Sequence, residues 1–132
     1  MGRDAFFSTG LERRFAFAVQ SSFDMQRFGG VNTSTQESIN HEKFLHEWNA
    51  EVDLPLILEN LKEYIEGSEL ALPDFAAFEP SLKGTQDLRY WLYKERKYCE
   101  SLGAEYYTFE LGCLIYHQLT YEPNLSVRYE VY

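Results

Sequence analysis

Cysteine is scarce in this chain and is not arranged for metal or redox work. Cys99 and Cys113 are the only two, and neither belongs to a CxxC pair. That spacing excludes a thiolate zinc knuckle, a thioredoxin-type motif and a disulfide framework, and it predicts a reducing compartment. Long apolar runs are also missing. No stretch of about eighteen apolar residues occurs, so no membrane-spanning helix is predicted. The opening MGRDAFFSTG lacks the basic-then-apolar layout of a signal peptide, and Phe6 stands where a myristoylation signal needs Ser or Thr. The expectation is a soluble, cytoplasmic protein with no membrane partner. Phosphate loops are absent too. Gly29-Gly30 fits neither GxxxxGK[ST] nor GxGxxG, and a bend explains it.

Positive charge is the last scarcity. Twelve Lys and Arg face twenty-one Asp and Glu, for a formal net charge of −9. The excess sits in one segment. Residues 31–83 hold eleven acids against Lys43, Lys62 and Lys83, a balance of −8; residues 1–30 balance at +1 and residues 84–132 at −2. Such a concentration bears on partners through long-range attraction and association rate, not on fold.

Aromatic residues are abundant. They make up 17% of the 132 residues, with ten Tyr and ten Phe, which argues against disorder and for one folded domain spanning 1–132. At both ends of the chain large residues alternate with small or polar ones, in Arg14–Gln20 through Phe15, Phe17 and Val19, and in Ser126–Tyr132 through Val127, Tyr129 and Val131. Period two predicts strands, with Ala5–Ser8 as a short partner to the first.

Helix signals fill the middle. Ser34-Thr35-Gln36-Glu37 has the form of a capping box and predicts a first helix carrying Phe44, Leu45 and Trp48 on one stripe. Asp53 reads as the N-cap of a second helix, with Pro55 in its first turn, a stripe of Leu54, Ile57, Leu58, Leu61, Tyr64 and Ile65, and Gly67 at its end. Leu70–Lys83 reads as an ordered loop fastened by Phe75 and Phe78. A third helix is expected from Thr85 or Asp87 to Leu102. Residues 105–122 fit both periods: Tyr107, Phe109, Leu111, Cys113 and Ile115 alternate, while Tyr107, Leu111, Leu114, Ile115 and Gln118 form a helical stripe. Tyr, Phe and Thr content favours a strand or a hairpin broken near Gly112. The predicted fold class is α+β, an antiparallel sheet from the N- and C-terminal strands packed against about three helices from the middle of the chain.

No catalytic motif survives inspection. His41 and His46 resemble the HExxH zinc motif but stand five apart, about 140° around a helix instead of about 40°, so they cannot share an ion there. No metal or cofactor is called for. Arg89, Lys94, Arg96 and Lys97 interleave with Tyr90, Trp91, Tyr93 and Tyr98, a pattern that can stack on bases. Glu95 and Glu100 dilute it and the net charge opposes it, so direct nucleic-acid binding is not expected.

These features favour a non-enzymatic module that docks on a basic protein surface, such as an inhibitor, an immunity-type protein or an accessory subunit. Glu42, Glu47, Glu51, Glu59, Glu63 and Glu66 would steer association, with Trp48, Tyr64, Phe75 and Phe78 as anchors if exposed. One alternative is a small-molecule binder or enzyme with a Tyr-lined pocket using His46, His117 or Cys113. Another is a structural subunit of a larger particle, in which the terminal strands pair with neighbours.

Overall fold

In the computed structural model of the protein the described residues are 3–8, 14–19, 28–37, 43–79 and 81–130. The alternating segment near the N-terminus forms strands β1 (Arg3–Ser8) and β2 (Arg14–Val19), paired antiparallel with Arg3 opposite Val19 and Ser8 opposite Arg14. A short strand β3 (Val31–Asn32) follows the Gly29-Gly30 bend. It pairs with β4 (Lys43–Asn49), Val31 opposite Glu47.

Strand β4 corrects the expectation of a first helix. Glu47 is exposed while His46 and Trp48 are buried, so the segment runs with period two. The alternation was hidden because histidine counts as polar in a hydropathy pattern, whereas the His46 ring here packs on the Trp48 ring at 4.4 Å between centroids. The helix signalled by Ser34-Thr35-Gln36-Glu37 does begin, since Gln36 and Glu37 are helical, but Phe44, Leu45 and Trp48 lie on the strand instead. The Ser34 hydroxyl accepts the Leu45 N–H at 2.8 Å, so its side chain serves the backbone of β4.

Helix α1 (Ala50–Ile65) starts directly from β4, with Asn49 as N-cap accepting the Glu51 N–H at 3.0 Å. Asp53, expected as the cap, lies inside the helix, and Pro55 falls in its second turn. The Asp53 carboxylate turns back to accept the Asn49 N–H at 2.8 Å and the Gly30 N–H at 3.3 Å. One buried acid thereby joins the start of α1 to the bend before β3, a two-sided cap. Beyond Gly67 the chain crosses to a 3₁₀ turn at Phe75–Ala77, whose first ring is buried as the expected ordered loop requires.

Helix α2 (Leu82–Lys94) opens at Ser81, which accepts the Gly84 N–H at 3.1 Å, earlier than Thr85 or Asp87. The expected single third helix is divided. Glu95 takes ψ 82° between α2 and the short α3 (Arg96–Leu102), which Gly103 closes with φ +54°.

Residues 105–122 form helix α4 (Tyr106–Tyr121), not a strand or hairpin, and twelve of its sixteen residues are buried. A helix enclosed on every side shows no polar face, which is why neither period stood out in the sequence. It touches α1, α2, α3 and the last strand, β5 (Asn124–Glu130). Gly112 is not a hairpin break but a point of close approach. A Cβ there would stand 2.5 Å from the Phe28 ring and 2.8 Å from Leu61.

Strand β5 pairs with β4 from Lys43 opposite Glu130 to Asn49 opposite Asn124, giving the sheet order β3-β4-β5, and β1 runs alongside β5. The architecture is therefore α+β, with the terminal strands brought together and the helices between them in sequence. The core unites Phe28, Trp48, Ile57, Leu61, Leu88, Leu92, Phe109, Leu114 and Ile115 around α4. Each such side chain contributes about 1.5–3 kcal/mol by burial. No helix among the described residues is long and apolar enough to cross a membrane.

Candidate docking face and a tyrosine-walled pocket

The residues expected to steer a partner fall into two groups. Glu51, Glu59, Glu63 and Glu66 are exposed on or just beyond α1, and Glu47 is exposed on β4. Glu42 lies outside the described residues. The expected ring anchors fare differently. Trp48 is 2% exposed and Phe75 9%, so both belong to the core, while Tyr64 and Phe78 are half-buried against it. Trp48 is further tied by its indole N–H donating to the Phe28 carbonyl at 3.2 Å.

The surface presents apolar residues that the sequence pattern did not mark. Val52 and Leu56 are exposed on α1, and Val52, Leu56, Glu59, Glu63 and Glu66 recur at steps of four, three, four and three, one stripe along the helix. At the N-terminal end of this stripe lies a groove of about 710 Å³, bounded by Val31, Glu47, Asn49, Val52, Asn124 and Ser126. It sits where β3, β4 and β5 meet the first turn of α1, a junction that the Asp53 contacts hold in place.

The histidines and the buried thiol of the alternative scheme are structural in their contacts. The His46 Nε2 donates to the Gly29 carbonyl at 2.8 Å, since a carbonyl can only accept. His117 has both ring nitrogens engaged, Nε2 donating to the Phe78 carbonyl at 3.2 Å and Nδ1 accepting from Gln118 at 3.1 Å. Tyr121 donates to that same carbonyl at 3.1 Å. Cys113 is fully buried, and burial, with Glu110 nearby, pushes its thiol well up, away from the nucleophilic thiolate. None of the three lines the groove beside α1 or the tyrosine-lined pocket between α2, α3 and α4. Among the described residues no three His, Cys, Asp or Glu side chains gather closely enough to hold a metal ion.

A tyrosine-lined cavity does exist, built from other residues. It is an open pocket of about 560 Å³ between α2, α3 and α4, with Tyr90, Tyr93, Tyr106 and Tyr107 as walls and Gln86, Arg89, Cys99, Gly103 and Glu110 completing it. Arg89 Nε donates to Glu110 Oε1 at 3.0 Å. Glu110 is 3% exposed. Burial raises its carboxyl pKa in spite of the lowering pull of Tyr106 and Arg89, so the guanidinium offsets only part of the cost of taking that charge from water. The Tyr106 hydroxyl is buried beside Glu110, and burial first and then the Glu110 charge raise its pKa. Burial likewise pushes the Cys99 thiol up. In sequence, the Tyr90 and Tyr93 spacing marked this region as a ring-and-cation stripe. Nothing local paired Arg89 with Glu110, twenty-one residues away.

The chain matches no protein-family model, and no curated protein and no solved structure matches it either.

Proposed function

We propose that the protein is a non-enzymatic binding module that docks on a basic protein surface through the outer face of α1 and the adjoining groove. The observation that carries this is the single exposed stripe on which Val52 and Leu56 lead into Glu59, Glu63 and Glu66. Two apolar side chains beside a groove offer area for desolvated contact, while the acids attract a basic partner and orient it before contact. Glu47 lines the groove and Glu51 is exposed next to Val52 in the first turn of α1, so both extend the negative field around it. The occupant that complements this face is a Lys- or Arg-rich surface, the kind found on nucleases and other proteins that hold nucleic acid. An inhibitor or immunity-type role follows if that surface is the partner's own active channel.

The test compares the protein with its Glu59→Lys, Glu63→Lys, Glu66→Lys triple variant as immobilised bait in native lysate at low and high salt. A basic protein retained by the wild type at low salt, and released both by high salt and by the triple reversal, is the expected result. Identical retention by both baits would remove α1 from the interface. Each exposed change is expected to cost no more than about 0.5 kcal/mol, and the unfolding midpoint of the triple variant, measured alongside, separates a lost partner from a lost fold.

A further inference from the structure

We propose that the cavity between α2, α3 and α4 is a separate binding site for a small, uncharged heteroaromatic molecule bearing both hydrogen-bond donors and acceptors on its edge, the class that includes free nucleobases and nucleosides. Size, walls and floor each point to this class. A volume of about 560 Å³ suits a ligand of one or two rings, within the roughly 300–1,000 Å³ usual for small-molecule sites.

The walls are suited to stacking. Tyr90 and Tyr93, three residues apart on α2, are 63% and 71% exposed, rings held in water at the mouth of a pocket whose inner wall is Tyr106 and Tyr107. Lys94 Nζ stands over the Tyr90 ring at 5.6 Å from its centroid, so this rim ring already makes a cation–π contact on one face.

The floor decides the charge. Arg89 and Glu110 form one ion pair of zero net charge, in which the acid is almost wholly buried and the base partly exposed. An organic anion placed there meets Glu110, and an organic cation meets Arg89. A neutral ring with mixed edges can donate toward the carboxylate and accept from the guanidinium or the Gln86 amide without adding charge to a poorly solvated place. The buried Tyr106 hydroxyl beside Glu110 adds a polar group to the inner wall that a donor or acceptor on the ligand edge can meet. The cavity holds a single ring system and does not require a phosphate chain, which the net charge of −9 would repel.

The experiment titrates isotope-labelled protein with adenosine, guanosine, cytidine and uridine, and in parallel with benzoate and benzylammonium as charged rings, following the Gly103 amide in the pocket wall by NMR. At least one nucleoside should shift Gly103 and bind at least about tenfold tighter than either charged ring, the equivalent of one charge-assisted contact. Tyr93→Ala removes an exposed ring, so the fold and its dispersed spectrum persist, and it should weaken that nucleoside by about five- to a hundredfold. Absence of any Gly103 shift with all four nucleosides would overturn the proposal. So would a charged ring that binds as tightly, or a Tyr93→Ala protein of unchanged affinity. The docking face stands or falls separately, because no residue of the α1 stripe lines this cavity.

Discussion

Helices α1 and α4 are both sixteen residues long, yet α1 buries three of its residues and α4 buries twelve. Helix α1 commits a narrow stripe, Asp53, Ile57 and Leu61, wholly to the interior, rests Leu54, Tyr64 and Ile65 half-buried against the core and leaves its outer face to solvent. Helix α4 is enclosed by three other helices and a strand, so even its polar residues must find partners within the protein: Glu110 with Arg89, Gln118 with Thr85 and His117, and His117 with the Phe78 carbonyl. Stability is therefore concentrated in one helix, and freedom to vary or to bind is concentrated in the other. A surface that carries little of the folding energy can carry a partner.

The sharpest way to break that contrast is to make the same change in both helices. Leu114→Ala in α4 should cost about 2–5 kcal/mol, whereas Leu56→Ala on α1 should stay within about 0.5 kcal/mol. Chemical denaturation of the two variants measures the difference, and equal losses would mean that Leu56 is not the surface residue described here. Gly112→Ala is the next largest. Alanine favours a helix by about 1 kcal/mol over glycine, but the added methyl meets the Phe28 ring and Leu61, so a net loss of about 1–3 kcal/mol is expected. A gain in stability would show that Phe28 yields easily and that α4 is less tightly enclosed.

A smaller effect concerns charge inside α4. The carboxyl of Glu110 is raised above its ordinary value of 4.5, chiefly by burial. The folded protein therefore keeps this proton to a higher pH than the unfolded chain does. The linked stability is fully present below the ordinary carboxyl range, declines as pH rises through it toward the raised value, and levels off above that value. This is opposite in sign to a carboxylate whose pKa is depressed by its partner. Glu110→Gln has no proton to lose, so the wild-type melting temperature should fall relative to that of the variant as pH is raised from 4. A parallel pair of curves would mean that Arg89 compensates the charge completely.

Much of the fold could be read from local pattern. Alternation around Phe15, Phe17 and Val19 and around Val127 and Tyr129 falls on strands, and the stripe through Ile57 and Leu61 falls on α1, where one side of the helix meets the core and the other meets water. Reading failed where that asymmetry disappears or is disguised. In α4 nearly every side chain is inside, so period carries no signal. In β4 a buried histidine stands in an apolar position. At Ser34–Glu37 the helix signal is met locally, by Gln36 and Glu37, while the serine side chain bonds the neighbouring strand. The candidate sites follow the same division. The acidic stripe on α1 was legible because it lies within a few helical turns, while the tyrosine-walled cavity joins residues 86–93 to residues 99–110 and required the packing of three helices.

The sequence by itself determined the α+β character, the concentration of negative charge in the middle segment, the exposed acids of α1 and the absence of any recognisable catalytic motif, since all of these depend on composition and on spacing over a few residues. The tertiary structure alone decided that Trp48 and Phe75 are core and not anchors, that His46 and His117 spend their nitrogens on backbone carbonyls and a neighbouring amide, and that Arg89 and Glu110 meet beneath four tyrosines. Burial and pairing are properties of what surrounds a side chain, and those surroundings come from residues far away along the chain.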